Sequence, residues 1–154
     1  MASYMVRPVQ QEEIPYLVSM GKRLHSESLF RSMDYHEEMV EKLGRFASAD
    51  DNFFFQVIVH IETDVPVGML IGMMQSTFFG LDKIAADMLF FVEPEHRGQC
   101  NAALREITTH YRNWGFYRGA KRVYLITSTG IEPERTAKAY EACGFKQVGT
   151  VHEA

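Results

Sequence analysis

One run constrains the fold more than any other: Phe90-Phe91-Val92-Glu93-Pro94-Glu95-His96-Arg97-Gly98-Gln99-Cys100-Asn101-Ala102-Ala103-Leu104. An apolar strand enters a proline turn, and a short Arg-Gly loop then feeds a helix with apolar residues at Leu104, Ile107 and Tyr111. A strand that passes directly into a helix leaves the first N–H groups of that helix unpaired and turned into the loop. Together with the positive end of the helix dipole they form a seat for an anion, most often a phosphate. Arg97 adds fixed charge to that seat, and Gly98 lets backbone approach a ligand.

The rest of the chain is what a single globular domain, residues 1–154, requires. The chain has 154 residues, 46% hydrophobic and 23% charged, enough to bury a core. A net charge of −4 argues against binding nucleic acid over the whole surface. Two cysteines, Cys100 and Cys143, form neither a disulfide framework nor a CxxC zinc spacing, and the six histidines show no HExxH spacing. No run is long enough for a membrane span, and Met1 to Arg7 lacks the apolar core of a signal peptide. A reducing, cytoplasmic setting is the expectation.

Periodicity predicts the order of elements. Tyr4 to Pro8 reads as a strand, and Ile14, Leu17, Val18, Gly21 and Leu24 follow helical spacing from Glu12. A second helix is expected from Asp34, as N-cap, to Phe46, with Tyr35, Met39, Leu43 and Phe46 on one face. Strands are expected at Phe53 to Glu62, Pro66 to Gln75 and Ile84 to Val92. Helix Asn101 to Phe116, strand Arg122 to Thr127 and a helix from Pro133 to Gly144 follow, and Phe145 to Val151 reads as a closing strand. The order β-α-α-β-β-β-α-β-α-β predicts an α/β fold with one mixed, mostly antiparallel sheet and helices on both faces.

Two motifs now carry a resemblance. Val92-x-Pro94-x-x-Arg97-Gly98 resembles the acyl-CoA-binding motif of the GCN5-related N-acetyltransferase (GNAT) superfamily, and Ala139-Tyr140-x-x-x-Gly144-Phe145 resembles its closing motif. The element order matches over essentially the whole chain, and Gly119-Ala120-x-Arg122-Val123-x-Leu125 is similar to small phage and prophage members. The resemblance implies transfer of an acetyl or other short acyl group from acetyl-CoA to a primary amine by direct attack. It also implies that the cofactor's arm lies in a splay between the strands at Leu89–Val92 and Val123–Thr127. Phe91, Val92, Arg97, Gly98, Gln99, Cys100, Asn101 and Ala102 become the candidate cofactor contacts.

Tyr140 becomes a candidate general acid for the leaving sulfur, since a phenol can protonate a departing thiolate and recover its proton from solvent. Asp87 is the nearest acidic candidate for the base, with His60 and Glu62 weaker; Asp87 also reads as a strand residue facing solvent. Two positions depart from the family pattern: Cys100 replaces a glycine of the phosphate loop, and Pro133 stands where many members carry Asn. They motivate a second expectation, a GNAT-like module without turnover that binds a partner or forms a homodimer through Phe53, Phe54, Phe78 and Phe79. The acceptor rim, Leu24 to Asp51, carries Glu27, Asp34, Glu37 and Glu38 beside Arg23 and Arg31, a mixed set that selects no particular amine.

Overall fold

Five strands form a single sheet in sequence order: β1 (Tyr4–Pro8), β2 (Phe53–His60), β3 (Val65–Ser76), β4 (Lys83–Val92) and β5 (Ala120–Tyr124). The computed structural model describes residues 3–154; Met1 and Ala2, part of the stretch read for a leader, lie outside the described residues. The first four strands pair antiparallel and β5 joins β4 in parallel, so the sheet is mixed and mostly antiparallel. Helices α1 (Ile14–Glu27) and α2 (Glu37–Ala49) precede β2, α3 (Asn101–Tyr117) bridges β4 and β5, and α4 (Pro133–Ala142) follows β5.

Strand alternation splits the core into two layers. Phe55, Val57, Val59 and Met69 pack with Ile14, Leu17 and Met20 of α1. Phe54, Ile58 and Leu70 pack with Ile107 and Tyr111 of α3 on the other face. Phe54 is therefore core rather than an interface residue, whereas Phe78 and Phe79, on the β3–β4 loop, are 97% and 95% exposed.

Three expectations need correction. Phe145 to Val151 forms no strand, and the sheet ends at β5. In that run Val148 and Val151 are exposed and Gly149 interrupts the pattern, so no apolar face exists to hold it against the sheet. Helix α2 starts at Glu37, capped by His36, whose Nδ1 accepts the Met39 N–H at 3.2 Å, rather than by Asp34. Its apolar face also looks outward in part: Ala47 is buried, whereas Met39, Leu43 and Phe46 are exposed.

One irregularity positions everything that follows. Ile71 pairs with Leu89 but Gly72 pairs with Asp87, so Met88 is an extra residue bulged out of β4. The bulge reverses the alternation: Ala85 packs on the α3 face, while Leu89 and Phe91 pack on the α1 face. Opposite it, a side chain at Gly72 would place Cβ 2.3 Å from the Tyr111 ring, so the close approach of α3 to β3 needs glycine there.

Candidate active site

β4 and β5 run together only from Lys83–Ala86 opposite Ala120–Tyr124. Beyond Tyr124 the chain leaves the ladder, which is why the strand expected to reach Thr127 stops early. The stretch from Asp87 to Val92 thus has backbone partners on its β3 side and none from β5. A fork opens between β4 and the edge strand β5, where unpaired strand backbone faces a cleft.

Asp87 sits where the fork begins. Its Oδ1 accepts the Ile126 N–H at 2.7 Å, two residues past the end of β5. Burial raises its carboxyl from the usual 3.8 to about 7, against the lowering effect of that hydrogen bond. Asp87 is not a solvent-facing strand residue. Tyr140, on α4, lies close enough that the Asp87 charge acts on it; burial first and that charge second push its phenol well above the ordinary tyrosine range. Its ring stacks on Phe90 at 6.0 Å between centroids and 7° between planes. Helix α4 ends just beyond it with Gly144 N–H donating to the Glu141 carbonyl and Phe145 N–H to the Tyr140 carbonyl, both at 3.0 Å. That pairing closes the last turn and explains the Gly-Phe that follows the tyrosine. His60 and Glu62, the weaker base candidates, do not line the cleft.

The phosphate loop is built at the top of the same strand. Gly98 adopts φ +82°, a conformation that disfavours side chains. The first helical bond of α3 runs from Leu104 N–H to the Cys100 carbonyl at 2.9 Å, so the N–H groups of Asn101, Ala102 and Ala103 have no helical acceptor. Gln99 contributes less than expected, because its amide donates to the His96 carbonyl and its side chain to the Glu95 carbonyl.

Two residues behave differently from the expectation. Arg97 does not stand free on an exposed loop. Its Nε donates to the Val92 carbonyl at 2.8 Å, its two terminal nitrogens grip Glu27 at 3.0 and 2.9 Å, and the guanidinium lies 5.2 Å above the Phe91 ring. Cys100 is only 2% exposed and packs with Ala103 and Ile107, so its side chain joins the core and leaves the seat unobstructed. Substituting glycine there would remove packing instead of opening the loop.

Sequence reasoning missed a second cation. Arg135, on the first turn of α4, reaches within 3.2 Å of the point where a Gly98 Cβ would lie, and it is braced by Glu132 at 3.4 Å. No motif marks it; only the folding of α4 against the loop brings it there. The β4 edge, this loop, α4 and the undersides of α1 and α2 enclose a cleft of about 600 Å³ that takes in Asp87, Phe91, Arg97, Arg135 and Tyr140. Among the described residues no cluster of His, Cys, Asp and Glu could hold a metal, and no helix is long and apolar enough to cross a membrane.

No family model matches the sequence, and no curated protein matches it. Solved structures do. AAC(6')-Iy, in complex with a bisubstrate analogue, CoA-S-monomethyl-acetylneamine, superposes with a TM-score of 0.75 at 16% identity, over 98% of this chain and 96% of that one. This is the GNAT fold. Glucosamine-6-phosphate N-acetyltransferase from Arabidopsis thaliana gives a TM-score of 0.68 at 14% identity, over 98% and 97% of the two chains. An acetyltransferase from Trypanosoma brucei gives 0.65 at 18% identity, over 98% of each. The likeness spans nearly the whole of this chain and of each neighbour. At these identities it establishes architecture, while the chemistry has to be argued from the residues.

Proposed function

We propose that this chain transfers an acetyl or other short acyl group from acyl-CoA to a primary amine, using Asp87 as base and Tyr140 as proton donor. The observation that carries the reading is the fork itself: a β4 edge without a β5 partner, with a half-buried carboxyl at its base and a half-buried phenol beside it. The residues present suit a CoA thioester. The free backbone of Leu89 to Phe91 offers hydrogen bonds to an amide-bearing arm, and Gly98 with the first-turn amides of α3 and the Arg135 guanidinium offers positive potential to a pyrophosphate. Acyl-CoA supplies the activated carbonyl.

The chain's own groups then divide the proton work. An amine attacks only when neutral, and a carboxyl titrating near 7 is matched to drawing off its proton at physiological pH. Once Asp87 has passed the ammonium proton on to solvent, the neutral amine forms the C–N bond as the C–S bond breaks. The proton that the nitrogen then sheds goes to Asp87, and the sulfur takes one from Tyr140, which regains it from solvent. Burial keeps the phenol protonated beforehand and makes it a weak acid that yields its proton only to the charge built on the departing sulfur. The structural neighbours, among them a glucosamine-6-phosphate N-acetyltransferase and a second acetyltransferase, are consistent with this class of reaction. The non-catalytic alternative loses one of its two motives, since Cys100 does not obstruct the seat. Thiol release from acetyl-CoA in the presence of an amine panel tests the reading: amine-dependent thiol is expected, and a protein that gives no binding heat or thermal shift at millimolar acetyl-CoA and releases no thiol would overturn it.

A further inference from the structure

The half of the cleft that faces the acceptor differs from the mixed-charge rim its sequence suggests. Glu27 is neutralised by Arg97, Glu37 by Lys22 at 2.8 Å, and Arg23 by Glu93. The other carboxylates of that segment, Asp34, Glu38, Glu41, Asp50 and Asp51, do not line the cleft. The two carboxylates that do line it are Asp87, at the fork, and Glu132, which is paired with Arg135. Of the two arginines beside them, Arg135 offsets Glu132 and Arg97 is paired with Glu27, so among the described residues Asp87 is the single carboxylate without a cationic partner in the cleft lining. A polycationic amine would leave its second and third charges desolvated and unmatched there.

What α1 and α2 contribute instead is apolar. Val18, Val40, Leu43 and Gly44 line this half, and Phe30 and Leu43 are also open to solvent, which puts them where the cleft meets the surface. Met39, one turn before Leu43, and Met33 extend the same apolar surface outward at 65% and 61% exposure. Tyr35 gives its hydroxyl to the Val18 carbonyl at 2.7 Å, and the Nε2 of His25 is buried with no hydrogen-bond partner among the described residues.

We infer that this half of the cleft receives an uncharged apolar group, an alkyl or aryl body, and discriminates against polyamines and amino sugars. The inference rests on the acyl-transfer reading for the reaction but not for the binding surface. The apolar group can arrive on the amine or on the acyl chain, and the assay separates the two. With acetyl-CoA fixed, kcat/KM for phenethylamine is expected to exceed that for spermidine and glucosamine by tenfold or more; with the amine fixed, a rise from acetyl-CoA to hexanoyl-CoA would instead assign the apolar group to the donor. A preference for spermidine or glucosamine with no gain from the longer acyl chain overturns the inference. Leu43→Glu, at a partly exposed position, should lower the favoured apolar value at least tenfold with CoA affinity unchanged; equal values in the variant contradict it. Binding is read separately on the free protein: phenethylamine should shift the amide resonances of Phe30, Val40 and Leu43, and spermidine should not. The reverse pattern overturns the inference whether or not CoA binds.

Discussion

Asp87 shows how a single carboxylate can be unremarkable in sequence and distinctive in the fold. In the sequence it alternates with Met88 and looks solvent-facing; the bulge at Met88 and the parting of β5 turn it into a half-buried group at the base of a fork. Its raised pKa has two consequences with opposite signs for function and stability. The rate should climb with pH through a midpoint near 7, because the base must be ionised. Stability should fall over the same region: between 3.8 and about 7 the folded state holds a proton that the unfolded state has released. Asp87→Asn should therefore cut turnover by about 10²–10⁴-fold and also melt higher than the wild type, with a gap that widens from pH 5 to pH 8. A gap that narrows with pH in thermal melts would contradict the buried carboxylate. Tyr140→Phe should lower kcat by about 10²–10⁴-fold while leaving CoA affinity intact. Because its phenol is held above the ordinary range, the wild-type profile should show no falling limb up to pH 10; a limb abolished by the mutation would refute that. Arg97→Ala acts differently from a surface-charge deletion. It releases Glu27 and the Val92 carbonyl together, so we expect a loss of about 1–2 kcal/mol in urea unfolding as well as weaker CoA binding. Unchanged stability would mean that the Glu27 pair contributes nothing.

At the level of elements, local patterns were legible where one face of a strand or helix is buried and illegible where burial depends on distant neighbours. The alternation in β2 and the spacing in α1 and α3 specify those elements because each has a continuous apolar face. The α2 pattern is equally amphipathic, yet the cleft lies beneath part of it, so Leu43 borders the cavity and Met39 faces solvent instead of a core. The bulge leaves no local mark: Gly72 hints at it, but only the Tyr111 ring pressed against that glycine shows why a side chain is excluded. Gly72→Ala should then cost about 3 kcal/mol by overpacking, and, by displacing α3 or β3, should disturb the fork. Chemical denaturation measures the loss; a cost under about 0.5 kcal/mol, the range of ordinary surface substitutions, would show that the contact yields freely.

For the molecule as a whole, the motif pair read from sequence and the fork read from structure coincide in space. The Arg-Gly loop stands at the top of β4 and the Tyr-Gly-Phe segment closes the other side. What could not be read beforehand is which groups the fold leaves free: Arg97 is committed to Glu27, and Arg135, bearing no motif, faces the loop. Such assignments depend on pairing between residues some 70 positions apart, such as Arg97 with Glu27, which no spacing rule encodes. The central claim, that a CoA thioester occupies the fork, is tested most directly by titrating CoA into isotopically labelled protein and following backbone amides. The account predicts saturable shifts concentrated at Leu89 to Val92, Gly98, Asn101 to Ala103 and Ile126. Shifts confined to other surfaces, or none at millimolar CoA, would contradict it.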